Sequence, residues 1–194
     1  MTHWAMKPFY RKAVRLACEN GMYRIGTYVL FNYLDTPKQF YERLEFSEKL
    51  NVKYDLQITS FPMKFVPFES KDRTHVGKYW KRRYLRGIQC ILLATRGMVS
   101  PHDKFFYAAF GDDKEDFIRI VSMPEHYIIH RHKYESNYTE EWTKIYRKLS
   151  QGQKNELIDI LEKGRVTQDT IINVKSERLK KILDHYLDED KMAK

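Results

Sequence analysis

Two stretches of this chain are apolar on both faces of a strand, and that limits what it can fold into. Ile25-Gly-Thr-Tyr-Val-Leu-Phe-Asn-Tyr-Leu-Asp-Thr-Pro37 is a nearly unbroken apolar run that stops at a helix-start signal, and Tyr54 to Pro67 repeats its strand half. Strands of this kind belong in a sheet covered on both sides. Two of them cannot cover themselves. The expectation is therefore α/β: two C-terminal β/α units of a partial parallel barrel, with upstream strands missing from this chain.

The flanking segments fit that expectation. Residues 8–20 open on a proline suited to a first helical turn, place Phe9, Ala13, Leu16 and Ala17 on one stripe, and end at Asn20-Gly21, a C-cap. Thr36-Pro37-Lys38-Gln39 supplies an N-cap threonine, a proline at the first helical position and a glutamine at the capping-box position. The helix that follows turns Phe40, Leu44, Phe46 and Leu50 toward a core and ends near Asn51. Helix, strand, helix, strand with short links is the pattern of parallel crossovers.

After Pro67 the composition changes. Glu69 to His75 is a polar connector, and Val76 to Thr95 predicts one long helix with Val76, Trp80, Tyr84, Ile88, Ile91 and Leu92 on one face. Further helices are expected from Ser100-Pro101, from Asp112-Asp113, from Thr139 and from Ser176, with Pro124 as an interruption and the last residues fraying. The expected organisation is a partial barrel over residues 1–70 and a helical extension over 71–194.

With 194 residues, 42% of them hydrophobic, the chain can bury a real core. No run approaches the roughly 18–20 apolar residues of a membrane span, and the first residues lack the pattern of a secretion signal, so the expectation is a cytoplasmic protein without membrane partners. Cys18 and Cys90 are too far apart for a disulfide framework or a zinc pattern and read as buried thiols.

The formal net charge is +9, and it is not spread evenly. Between Lys71 and Arg96 stand eight basic residues and one acidic one. On a continuous helix, Lys78, Lys81, Arg82 and Arg86 would lie on neighbouring turns and could neutralise phosphates, which gives a second reading: a basic, non-enzymatic nucleic-acid-binding module. A charge run of this kind is also what an ordinary solvated face looks like. A third reading is self-association through unprotected strand edges. His126, His130 and His132 form a His-x3-His-x-His cluster, but apolar neighbours and the absence of nearby cysteines leave it without the ligand set of a metal site, so no metal is assigned.

In a β/α barrel, chemistry gathers where strands end. Those positions are Asn32, Tyr33, Asp35 and Thr36 after the first strand, and Pro62, Met63 and Lys64 after the second. Thr36 is accounted for by capping alone. Asn32 has no such local explanation and is a candidate polar contact.

The order of these segments resembles the C-terminal half of the catalytic barrel of radical S-adenosylmethionine enzymes. Many members end one strand in a Gly-Leu-Pro-Gly-Glu-Thr-like sequence, and Tyr28-Val-Leu-Phe-Asn-Tyr-Leu-Asp-Thr36 stands in that place. Phe31 and Leu34 replace the glycines, Asn32 and Tyr33 replace leucine and proline, and Asp35 replaces glutamate. The run Thr36 to Leu44, Ser60 to Lys64, Lys71 to Arg73 and Arg83 to Gly87 carries the resemblance, which spans residues 8–130. It implies S-adenosylmethionine and a [4Fe-4S] cluster, with Asn32, Phe61, Pro62 and Met63 near the cofactor and Asp35 and Lys64 at the substrate or rim. The family holds its cluster by a Cys-x3-Cys-x2-Cys loop, and that motif is absent here. The expected function is thus that of a C-terminal fragment, inactive alone. Its partner would be the missing N-terminal barrel half, as in a truncated gene product, or a separate cluster-bearing chain.

Overall fold

The computed structural model describes residues 1, 3–70, 73–130 and 138–187. The chain divides into two compact units: Met1–Trp80 with Thr95–Ile118, and Lys81–Ala94 with the residues from Arg119 onward.

The first unit is built on α1 (Lys7–Glu19), β1 (Arg24–Phe31), α2 (Pro37–Tyr54) and β2 (Gln57–Lys64). α1 ends at Asn20, and Gly21 takes the positive φ of 76° that turns the chain toward β1. α2 starts as its sequence dictates. The Thr36 side chain accepts from the Gln39 N–H and the Gln39 side chain reaches back to the Thr36 N–H. α2 runs through Tyr54 and stops where Asp55 adopts a left-handed φ of 52°, so the second strand begins at Gln57 rather than at Tyr54.

β1 and β2 pair in parallel, with Arg24 opposite Gln57, Tyr28 opposite Phe61 and Phe31 opposite Lys64. One face of this sheet is closed by α2: Val29, Phe31 and Ile58 are buried, with the Phe31 ring 5.0 Å from Phe40 and 5.7 Å from Trp80. Phe40, Leu44, Phe46 and Leu50 of α2 all turn into the core as their spacing requires. The stripe expected of α1 does not. Val14 is its buried residue, while Phe9 is 67% exposed and Leu16 and Ala13 also face outward.

The partial barrel expected from the sequence does not form. Two parallel strands make a small open sheet in a largely helical protein of mixed α/β class. Curling into a barrel needs further staggered strands on the edges, and the outer edge of β2 is already occupied. The Asn51 side chain gives and takes a hydrogen bond with the Ile58 backbone, at 3.3 and 2.6 Å. Ser60 exchanges backbone bonds with Val99 at 3.1 and 2.8 Å, and Pro62 has no N–H to offer. α4 (Asp103–Phe110) completes this unit, with Phe106 and Phe110 stacked at 5.5 Å.

α5 (Lys114–Ser122) begins in the first unit and ends in the second. The second unit contains α3 (Arg82–Ala94), α6 (Glu125–Ile129), α7 (Tyr138–Arg147), α8 (Gln151–Glu162), α9 (Gln168–Ile172) and α10 (Glu177–Asp184). α3 packs on α6 and α8. A β-carbon on Gly87 of α3 would lie 2.4 Å from the Val121 carbonyl oxygen, so this close approach requires glycine. Capping boxes at Ser150 and Thr167 start α8 and α9, and the Ser176 side chain accepts from the Leu179 N–H to start α10. The fraying expected of the last residues falls outside the described residues.

The single helix expected from Val76 to Thr95 is shorter, beginning at Arg82. Residues 77–80 instead form a turn closed by the Trp80 N–H on the Gly77 carbonyl, 2.9 Å. That turn is fixed from a distance by Asn32.

Candidate functional site

The residues singled out at the strand ends separate into two groups. Asn32 and Asp35 are buried, and Phe61, Pro62, Met63 and Lys64 lie partly or largely exposed along β2.

Asn32 sits at the end of β1 with a left-handed φ of 69°, a conformation that asparagine tolerates better than most residues. Its Nδ2 donates to the Phe65 carbonyl at 2.9 Å and the His75 carbonyl at 3.1 Å, and its Oδ1 accepts from the Gly77 N–H at 2.7 Å. Every hydrogen-bonding atom of the amide is thus engaged by backbone. The side chain holds the 65–77 connection against the strand end. Gly77 must be glycine there, because a β-carbon would come within 2.8 Å of the Asn32 and Tyr33 carbonyl oxygens.

Asp35 is the centre of a second buried network. Its Oδ1 accepts from the Tyr33 N–H at 2.9 Å and the Trp80 Nε1 at 3.3 Å, and its Oδ2 takes the Arg43 Nη2. Arg43 reaches onward to the Gln39 carbonyl at 3.3 Å and the Met1 carbonyl at 3.2 Å. Burial pulls the guanidinium pKa below its ordinary value, and the Asp35 carboxylate opposes that by favouring the charge.

The exposed group shares one surface. Register partners point their side chains the same way, so Arg24 with Gln57, Gly26 with Thr59, Tyr28 with Phe61, and Leu30 with Met63 form the face opposite α2. Tyr28 is 66% exposed and Met63 49%. The Tyr28 and Phe61 rings lie 5.9 Å apart at 46°, and beside them Gly26 presents no side chain, its notional β-carbon 3.6 Å from Phe61 Cε2. Pro62 belongs to the α2 side, opposite Val29. Lys64 donates to the Arg73 carbonyl at 2.8 Å, tying the strand end to the loop. This open face is a shallow aromatic and thioether platform that a planar ring can stack on.

No family model, curated protein or solved structure matches this chain.

The basic segment is not one stripe. Lys78 lies outside any helix, with its Nζ 5.3 Å from the Tyr79 ring centroid. Lys81, just before α3, pairs with Asp159 at 3.0 Å. Arg86 makes a two-pronged bond to Glu125, 3.0 and 2.6 Å, and that guanidinium holds the carboxyl below its ordinary range although burial pushes it up. Arg82 is exposed at the first turn of α3. Of the histidines, His126 is on α6 and His130 follows its end, while His132 lies outside the described residues.

Cys18 and Cys90 are free thiols, Cys18 half-buried and Cys90 buried. They fall in different units. Among the described residues no group of three His, Cys, Asp or Glu side chains converges to hold a metal ion. Three-thiolate ligation of an iron–sulfur cluster does not fit this chain.

Sequence reasoning picked out Phe61 and Met63 but missed their partners across the sheet, Gly26, Tyr28 and Leu30. The signal was present. A strand apolar on both faces has a second face to account for, and β1 places these three residues at alternate positions on it.

Proposed function

We propose that this chain forms the adenosine-contacting portion of a radical S-adenosylmethionine-type enzyme whose cluster resides on a different polypeptide segment. The observation that carries the reading is the open sheet face: Tyr28 and Phe61 side by side, with the bare backbone of Gly26 next to them and Met63 beyond. An adenine ring finds there an aromatic surface worth about 1–3 kcal/mol per stacked base. The run of residues that resembles the family includes both strands of this face. When bound, S-adenosylmethionine would supply the sulfonium and the adenosyl group.

The roles of the chain's own residues follow from position. Tyr28 and Phe61 stack the ring, Met63 lines the end of the platform, and Gly26 lets a ligand reach the strand backbone. Asn32, Asp35 and Arg43 do not touch the ligand. They hold the loops at the strand ends so that the platform keeps its shape.

Titration of S-adenosylmethionine into the isotope-labelled chain, followed by amide resonances, tests this. The expected result is saturable shifts at Gly26, Tyr28, Phe61 and Met63 with a dissociation constant of about 1 mM, near 4 kcal/mol of binding. Unmoved resonances on this face up to saturation of the ligand's solubility would overturn the proposal.

A further inference from the structure

The two edges of the sheet are treated differently. Residues of odd number in β1 face β2, since the Gln57 N–H donates to the Tyr23 carbonyl and the Phe65 N–H to the Phe31 carbonyl. Even-numbered residues Arg24, Gly26, Tyr28 and Leu30 therefore point their backbone N–H and C=O outward. On β2 the outward groups are at Ile58, Ser60 and Pro62, where Asn51, Val99 and the proline ring close the edge. On β1 one outward group is engaged, the Tyr28 carbonyl, which takes the Met1 amine. The N–H and C=O of Arg24 and Gly26 and the N–H of Tyr28 and Leu30 have no partner among the described residues.

Proteins usually protect an edge that is meant to stay single. This one protects β2 three times over and, among the described residues, leaves β1 open except at the Tyr28 carbonyl. Beside the bare edge the surface is apolar: Tyr28 and Met22 are exposed, and so are Phe9, Ala13 and Leu16 along α1. α1 borders this strand, because Val14, Tyr10 and Cys18 of α1 share one hydrophobic cluster with Ile25 of β1.

We infer that the outer edge of β1 accepts an added strand from a polypeptide whose flanks are acidic. The charge selects the occupant. Lys7, Arg11, Lys12, Arg15 and Arg24 stand on α1 and β1 against a single carboxylate, Glu19, which pairs with Arg15; Lys7 and Arg11 lie over the Phe46 ring of α2, which leaves Lys12 and Arg24 for an occupant of the edge. A second copy of this chain would bring the same basic flank against itself, at a net charge of +9 per copy. An acidic partner gains at the Arg24 end of the strand and covers the α1 stripe at once. The inference does not depend on the S-adenosylmethionine reading: nucleoside binding and strand addition are read on separate assays, so either can fail alone.

The probe is a short blocked peptide of alternating valine and threonine with Asp-Glu at both ends, compared with a twin ending in lysines, using the full chain and fluorescence anisotropy. The acidic peptide binds about tenfold more tightly than the basic one at low salt, as complementary flanks require. Its binding protects the Gly26 and Leu30 amides from hydrogen exchange. Gly26→Pro removes an outward N–H without touching the β1–β2 ladder and abolishes binding. Should that variant fail to fold, Arg24→Glu decides, since it weakens the acidic peptide and narrows the preference between the two peptides. Equal affinity for both peptides, or binding that leaves Gly26 and Leu30 unprotected, overturns the inference. Light scattering that finds a stable dimer closed to the peptide overturns it in favour of a second copy.

Discussion

Arg43 and Asp35 form an ion pair buried to 0% and 4% side-chain exposure, eight residues apart in sequence and joined across the start of α2. Each is also bonded to backbone, Asp35 to Tyr33 and Arg43 to Gln39 and Met1. The pair binds the end of β1, the first turn of α2 and the start of the chain into one block. Breaking it from one side leaves a buried charge alone. Asp35→Ala or Arg43→Met should each cost about 3–5 kcal/mol, whereas the double variant should cost clearly less than the sum. Urea unfolding of the three variants measures this, and strict additivity would contradict it.

Asn32 combines a strained backbone with three hydrogen bonds, and the two contributions separate by substitution. Asn32→Ala loses both the bonds and the tolerance for a left-handed φ, and should cost about 3 kcal/mol. Asn32→Gly keeps the backbone free and should be about 1 kcal/mol less damaging. The reverse order would show that the amide is not what holds the 65–77 connection.

In the second unit, the Tyr127 hydroxyl and His185 Nδ1 lie 2.9 Å apart. Burial lowers the His185 pKa below the usual 6.5, opposed by the Glu141 and Asp184 carboxylates. A histidine held neutral in the fold takes up protons more readily once unfolded. Stability should thus rise with pH across the interval between the folded and unfolded pKa values, and fall as the solution is acidified below about 6.5. Thermal unfolding at a series of pH values should show this loss in the wild type and less of it in His185→Asn. Identical pH profiles would sink the assignment.

The elements whose causes are local were legible in the sequence. Thr36 and Gln39 cap α2 because everything needed stands within four residues, and Phe40, Leu44, Phe46 and Leu50 bury themselves by helical spacing. What failed was decided by distant partners. The helix expected from Val76 starts at Arg82 because Gly77 gives its N–H to Asn32, a bond spanning 45 residues. Phe9 and Leu16 satisfied a helical stripe, yet the core took the neighbouring face through Val14. The barrel failed for a related reason: hydrophobic strands announce that neighbours are needed, but not that Asn51 and Val99 will close one edge.

The thiols give a further check. Anaerobic incubation of the chain with iron and sulfide should yield no cluster absorbance, since two cysteines in different units cannot supply three thiolates. A stoichiometric cluster would mean ligands other than cysteine.

In the proposed function, the open face carrying Tyr28 and Phe61 binds the adenosyl group. Equilibrium dialysis of labelled S-adenosylmethionine against the wild type and the Tyr28→Ala, Phe61→Ala double variant tests it most directly, with circular dichroism to confirm that the variant folds. Binding by the wild type and a loss of about tenfold or more in the variant is the predicted result. Equal retention by the two folded proteins would contradict it.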